Sequence, residues 1–167
     1  MTIIVVEGPD NSGKTTLAHR IAKDVAGVYV KSALKPDQTQ TVDLFDTWIR
    51  SADSPVLFPY VVCDRHHWIS TPIYDLILRG SSRIDMFAAT MACSRFHAIY
   101  CRPPVPRILH FNPDISQLTG VPENIQSIVD EYDRVFRGHS RRIFASVIEY
   151  DWTVDSYEDV LLHVKEL

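Results

Sequence analysis

The sequence predicts an α/β fold: a parallel five-stranded sheet flanked by helices in three layers, formed as a single domain by residues 1–167. Short apolar runs typical of buried strands alternate along the chain with amphipathic stretches typical of helices. The 167 residues are 46% hydrophobic and 23% charged, which is typical of one globular domain. A chain of this length has room for a sizeable core without disulfide or metal staples.

Five segments have the composition of strands. The first, residues 2–6, is an apolar and largely β-branched run, as expected of a strand buried on both faces of a parallel sheet. Another apolar run contains Pro59, which cannot donate to a strand ladder, so we start its strand at Tyr60. The predicted strands cover residues 2–6, 28–30, 60–63, 96–101 and 143–150.

The helices are predicted from apolar residues at helical spacing. In the first helix, which starts at Lys14, Leu17, Ile21 and Val25 lie four residues apart, and Gly27 follows as a stop signal. The other predicted helices cover residues 41–52, 70–79, 84–94, 122–136 and 156–167.

Charge and cysteine content narrow the class of protein. Lys and Arg total 17 against 21 Asp and Glu, a net charge of -4, so we expect no nucleic-acid partner. No apolar run is long enough to span a membrane, and no basic or apolar leader is recognisable, so no membrane partner is expected. The three cysteines lack CxxC spacing and are expected to be reduced and buried, which favours a cytoplasmic location.

The strongest motif follows the first predicted strand. Gly8 to Thr15 match the phosphate-loop pattern G-x-x-x-x-G-K-[ST] between a strand and a helix, the context that the motif requires. In such a loop Lys14 reaches the terminal phosphates of ATP and Thr15 ligates Mg²⁺. The alternative is an ordinary glycine turn with an exposed lysine. The residues predicted to bind the nucleotide are Gly8, Asn11, Ser12, Gly13, Lys14, Thr15 and Thr16.

Three further charged residues are candidates for the chemistry. Asp10 lies inside the loop, where a carboxylate repels phosphate, so we expect it to face a second substrate; a turn-capping role is the alternative. Asp64 and Arg65 directly follow a predicted strand, at the sheet edge where ligands bind in open α/β folds. There Asp64 can hold Mg²⁺ or accept a proton, and Arg65 can fork onto a phosphate. The alternative is a surface ion pair.

These motifs resemble the thymidylate kinase group of P-loop kinases, which includes related deoxynucleoside kinases. The resemblance is carried by Glu7-Gly-Pro-Asp-Asn-Ser-Gly-Lys-Thr-Thr16 and Val61-Val-Cys-Asp-Arg65, and it extends over most of the chain. It implies that Asp10 contacts the sugar side of the acceptor and that Arg65 holds its 5′-phosphate. Asp64 would then lie near the metal and the reacting oxygens.

The resemblance also implies an acceptor pocket. An aromatic residue about nine positions after the arginine shapes the sugar and base pocket in that family, and Tyr74 stands at that distance here. The helix ahead of the Asp-Arg strand supplies an aromatic residue and an arginine, which implies Trp48 and Arg50 as substrate-binding residues. Phe45 and Trp48 share an apolar face, so a core role is equally compatible with them.

Family members place an arginine over the transferring phosphoryl group, either within the loop or in a lid. The loop here has Asn11 at that place, and the candidate lid, residues 104–121, follows Arg102 and contains Arg107. We predict Arg107 as the catalytic lid arginine, with Arg102 as the next candidate. The sparsely charged lid is a departure from the family pattern and weakens the case for strict thymidylate specificity.

Together these features predict an ATP- and Mg²⁺-dependent deoxynucleoside monophosphate kinase. The alternatives are a deoxynucleoside kinase, a kinase of a modified pyrimidine acceptor, and a non-catalytic nucleotide-binding switch. The expected partners are small nucleotides and a second copy of the chain, since the family commonly forms dimers through helices beside the sheet. The apolar stretch at residues 84–94 is the candidate dimer surface, although packing of these residues in the core is an equal alternative.

Overall fold

The computed structural model of the chain describes residues 1–31, 59–81, 93–110, 120–138 and 143–167. These residues form one five-stranded sheet in the order β2-β3-β1-β4-β5, and every neighbouring pair of strands is parallel. The strands are β1 (Thr2–Glu7), β2 (Val28–Lys31), β3 (Tyr60–Asp64), β4 (Phe96–Cys101) and β5 (Ser146–Tyr150).

The described residues also form five helices: α1 (Lys14–Asp24), α2 (His67–Arg79), α3 (Val105–His110), α4 (Ile125–Arg137) and α5 (Tyr157–Lys165). Within the described ranges, no helix combines the length and the apolar character needed to cross a bilayer.

Strand β1 is the middle strand and divides the core into two layers. Because side chains alternate across a strand, Ile3 and Val5 point to one face of the sheet and Ile4 and Val6 to the other. The first face packs against α2 and α4, and the second packs against α1 and α5. Both faces are therefore covered by helices, and the predicted three-layer parallel fold is confirmed.

Two helix boundaries differ from those predicted, for local reasons. Helix α2 begins at His67 rather than at residue 70, because the His66 side chain caps it by accepting the Trp68 N–H at 3.3 Å. Helix α4 begins at Ile125 rather than at residue 122. The Asn124 side-chain amide donates to the Gly120 carbonyl at 2.8 Å and closes a turn ahead of the helix.

One strand is shorter than predicted. Strand β5 begins at Ser146 rather than at residue 143, and Ser146 is the first of its residues paired with β4, opposite His97. The predicted helix at 41–52, nearly all of that at 84–94, and residues 111–119 of the candidate lid lie outside the described residues. The candidate lid begins in the structure as helix α3.

Candidate active site

The phosphate loop connects β1 to α1 at the carboxyl edge of the sheet. Gly8 has a φ of 146°, and a Cβ atom there would lie 2.5 Å from the Cys101 carbonyl oxygen at the end of β4. Glycine is therefore required at position 8. Gly13, with a φ of 86°, faces Trp152, whose ring would lie 3.0 Å from an added Cβ atom. Asn11 also adopts a left-handed conformation, with a φ of 61°.

Lys14 begins α1 and points back into the loop. Its side chain is buried, and Nζ donates to the Pro9 carbonyl and, at 3.4 Å, to the Ser12 hydroxyl. Burial, with a further contribution from the Arg65 charge, lowers the pKa of Lys14 to about 8. A buried cation inside a loop of backbone N–H groups is suited to bind an anion.

Thr15 and Asp64 meet at the same edge of the sheet. The Thr15 hydroxyl donates to Asp64 Oδ2 at 2.7 Å, and the Tyr29 hydroxyl donates to the same oxygen at 2.9 Å. Burial and the Asp64 charge raise the pKa of Tyr29, which keeps this phenol a donor. Hydroxyl and carboxylate oxygens are ligands that Mg²⁺ accepts, so the two residues predicted to hold the metal fit it in chemistry and in position.

Asp10, Arg65 and Tyr74 form a second polar group beside the loop. Arg65 Nη2 makes an ion pair with Asp10 and a hydrogen bond to the Tyr74 hydroxyl at 3.3 Å. The Tyr74 hydroxyl also accepts the Asp10 backbone N–H at 3.1 Å. We call these three residues the acceptor-side triad, after the role that the sequence predicts for them. The sequence singled out all three, and the structure brings them into contact.

Arg65 occupies an unusual backbone conformation at the end of β3. Its φ is 72°, in the left-handed region that a side chain with a Cβ atom rarely adopts. Its amide donates to the Val6 carbonyl at 3.0 Å, so the chain stays attached to β1 as it turns. The turn directs Asp64 towards Thr15 and Arg65 towards Asp10, although the two residues are consecutive.

The two arginines considered for the lid lie in different settings. Arg107 is exposed on the short helix α3. Arg102 is partly buried, and its guanidinium binds the two carboxylate oxygens of Asp133 at 3.0 and 3.1 Å. Arg102 therefore joins the end of β4 to α4, whereas Arg107 projects from the surface.

Other predicted residues are placed as follows. His66 and His67, which follow Arg65, are both buried, and burial lowers the pKa of His66 well below its usual value. Ser12 is buried and Thr16 is exposed. Trp48 and Arg50 lie outside the described residues, as does Phe45.

Two residues of the site were not assigned a role from the sequence. Glu7 is completely buried at the end of β1, and burial raises the pKa of its carboxyl group. The sequence feature that could have identified Glu7 is a charged residue at the end of an otherwise apolar, buried run. Tyr29, the partner of Asp64, lies in β2 within a run with no distinguishing pattern.

No protein-family model and no curated protein sequence matches the chain. Solved structures do resemble it over its whole length. YorR from Bacillus subtilis, in complex with phosphorylated GDP, has a TM-score of 0.69 and 19% identity, covering 99% of this chain and 94% of that one. Deoxyadenosine kinase from M. mycoides, with dCMP and a flexible dCDP bound as products, has a TM-score of 0.60 and 14% identity, with 99% and 100% covered.

A second structure of the M. mycoides deoxyadenosine kinase, with dATP bound, has a TM-score of 0.61 and 14% identity, covering 99% of this chain and 98% of that one. The chain therefore shares the fold of these structures, and its phosphate loop connects the middle strand of the sheet to the first helix. Likeness at these identities extends to the fold alone, and the resemblance to thymidylate kinases in particular stays a prediction.

Proposed function

We propose that the protein is an ATP-dependent phosphotransferase that moves the γ-phosphoryl group of ATP to the 5′-phosphate of a deoxynucleoside monophosphate. The main observation behind the proposal is that the side chains of two consecutive residues point to different sites. Asp64 contacts Thr15 of the phosphate loop, and Arg65 contacts Asp10 and Tyr74. A donor site and an acceptor site can thus share one strand end.

The donor half is the phosphate loop. The backbone N–H groups and the N-terminus of α1 favour phosphate oxygens, and Lys14 would exchange its contacts with Pro9 and Ser12 for phosphate oxygens of ATP. Thr15 and Asp64 would hold Mg²⁺, which supplies positive charge against the phosphate oxygens when bound. Tyr29 keeps Asp64 oriented towards Thr15 through its own hydrogen bond.

The acceptor half is the acceptor-side triad. Arg65 donates to Asp10 and Tyr74 from one terminal nitrogen, and a guanidinium carries five N–H donors, so it can bind a phosphate without releasing Asp10. Asp10 and Tyr74 then face the sugar. Holding acceptor and donor at the same strand end supplies the proximity on which phosphoryl transfer depends.

The transferring phosphoryl group also needs a positively charged side chain outside the phosphate loop to stabilise its negative charge. Arg107 is our candidate because it is exposed at the start of the candidate lid. Arg102 is held by Asp133 and would have to break that ion pair first.

A nucleoside acceptor is the second candidate function. Arg65 is already paired with the Asp10 carboxylate, which lowers the positive charge available to a second phosphate. The similar M. mycoides protein is a deoxyadenosine kinase. With a nucleoside, the Asp64 carboxylate would accept the proton of the attacking hydroxyl, and Arg65 would not need to meet a phosphate.

The test is ATP consumption with Mg²⁺ against deoxynucleoside monophosphates, the matching nucleosides and a short oligonucleotide. We expect turnover with monophosphates, and none in Lys14→Ala. Lys23→Ala, which removes an exposed lysine from the same helix, is the matched control and should keep wild-type turnover. Turnover with nucleosides alone would favour the second candidate. Nucleotide binding without turnover for any acceptor would contradict both.

A further inference from the structure

Glu7 is a fully buried carboxyl group next to the phosphate loop. It is the last residue of β1 and none of its surface is exposed. A buried carboxylate is costly unless hydrogen bonds and charges compensate for lost hydration. The charges of Arg65 and Lys14 favour its ionised form, and they oppose the rise in pKa that burial causes.

Three side-chain or backbone donors from other parts of the fold converge on this carboxylate. The His66 N–H donates to Oε1 at 2.5 Å. The Ser70 hydroxyl lies 3.0 Å from Oε1 and 2.7 Å from Oε2, and the Tyr132 hydroxyl lies 3.2 Å from Oε2. Glu7 therefore connects β1 to the start of α2 and to α4.

The first of these contacts fixes the backbone of Arg65. His66 directly follows Arg65, whose left-handed conformation is strained, and the Arg65 amide is bonded to Val6. The peptide units on both sides of Arg65 are thus attached to consecutive residues of β1, Val6 and Glu7. Such attachments compensate for an unfavourable backbone conformation.

The other two contacts hold residues that lie beside Tyr74. Ser70 lies four residues before Tyr74 on α2, which places both on one face of the helix. The Tyr132 ring packs edge-on against Tyr74 at 6.4 Å between ring centroids. Glu7 thus holds both neighbours of Tyr74, and it lies three residues before Asp10.

We propose that Glu7 is a positioning residue that sets Arg65 and Tyr74 in register with Asp10, and so preforms the acceptor half of the site without touching substrate. The acceptor role of this group rests on the proposed function. The geometric part, that Glu7 restrains the Arg65 backbone and thereby the direction of its side chain, stands without it.

The experiment compares Glu7→Gln with wild type and with Asp75→Asn. The second variant alters a different buried carboxylate, which lies on α2 and outside the acceptor-side triad. We expect Glu7→Gln to raise the KM for the deoxynucleoside monophosphate used in turnover by about tenfold or more, the effect of losing a charge-assisted buried hydrogen bond. The KM for ATP should change by less than about threefold, since the contact of Glu7 to the loop, from the Gly8 N–H at 3.4 Å, is long. Asp75→Asn should leave both constants near wild type.

A second measurement needs no turnover. In ¹⁵N-arginine-labelled protein, the Arg65 Nε–Hε signal is assigned by its loss in Arg65→Lys. We expect this signal to shift and broaden in Glu7→Gln and to stay unchanged in Asp75→Asn. If Glu7→Gln does not fold, Ser70→Ala removes one hydrogen bond to Glu7 and should move the same readouts in the same direction, by a smaller amount.

The outcomes separate the two proposals. Absence of turnover in wild type with a shifted Arg65 signal in Glu7→Gln would overturn the proposed function and support the positioning role. An unchanged Arg65 signal in folded Glu7→Gln, or equal increases in both KM values, would overturn the positioning role.

Discussion

The Thr15 hydroxyl donates to Asp64 Oδ2 at 2.7 Å across 49 positions of sequence. The contact follows from the sheet: β1 and β3 are adjacent and parallel, with Val6 opposite Asp64, so both strands deliver their next residues to one edge. A hydroxyl and a carboxylate in this arrangement are oxygen ligands of the kind that Mg²⁺ accepts, as the proposed phosphoryl transfer requires.

Asp64→Asn should remove the negative charge at this position while keeping the size and shape of the side chain. The amide oxygen can still accept from Thr15 and Tyr29, so we expect the free energy of unfolding to change by less than about 1 kcal/mol. The lost negative charge should lower kcat roughly 10²-fold or more. Steady-state kinetics and urea unfolding check both values. A kcat within twofold of wild type would exclude Asp64 from the chemistry.

Replacement of Arg65 should reveal the strain in its backbone. Arg65→Gly and Arg65→Ala both lose the guanidinium, but glycine accepts the φ of 72° freely. We expect Arg65→Gly to be the more stable by about 1 kcal/mol in urea unfolding. The matched pair at Leu76, exposed within α2, should show the opposite order, with alanine the more stable. The same order at both positions would contradict this account.

Replacing Arg102 and replacing Arg107 by alanine should have different effects on stability and on kcat. Arg102→Ala breaks a partly buried ion pair with Asp133 and should lower the free energy of unfolding by about 1–2 kcal/mol. Arg107→Ala, at an exposed position, should change it by less than about 0.5 kcal/mol and lower kcat by about 10³-fold. A normal kcat in Arg107→Ala would remove Arg107 from catalysis.

The three cysteines should be inert in the folded protein. Cys63, Cys93 and Cys101 are free and buried, and burial raises the pKa of Cys93 and of Cys101 to about 12. With a chromogenic disulfide reagent at pH 8, we expect no rapid reaction of the native protein. Denaturant should release three thiols per chain. One fast native thiol would show that a cysteine lies at the surface.

Much of the fold was predictable because its signals are local. The apolar run of β1, the glycine pattern of the loop and the helical spacing of Leu17 and Ile21 each fix one element, and together they imply a parallel sheet. Asp64 and Arg65 were predicted to lie at the sheet edge because a strand directly precedes them. The structure then adds contacts among residues that the sequence had singled out separately.

The rest of the site depends on tertiary packing. No sequence signal pairs Tyr29 with Asp64, since the contact exists only because β2 lies beside β3. Glu7 is recognisable as a charged residue in a buried run, but its partners come from 59 to 125 positions away. The turn ahead of α4 was missed because the Asn124 side chain, rather than apolar spacing, determines where that helix starts.

The central place of β1 has a consequence for how the chain is made. The strand precedes both of its neighbours in the chain, which are residues 60–64 and 96–101. Such distant pairings are slow to form, and until then the apolar run of β1 lacks its sheet partners. The phosphate loop, in which Gly8 lies close to the Cys101 carbonyl, can thus take its final shape only after β4 has been synthesised. Premature truncation before β4 should leave an aggregation-prone fragment with no residual affinity for nucleotide.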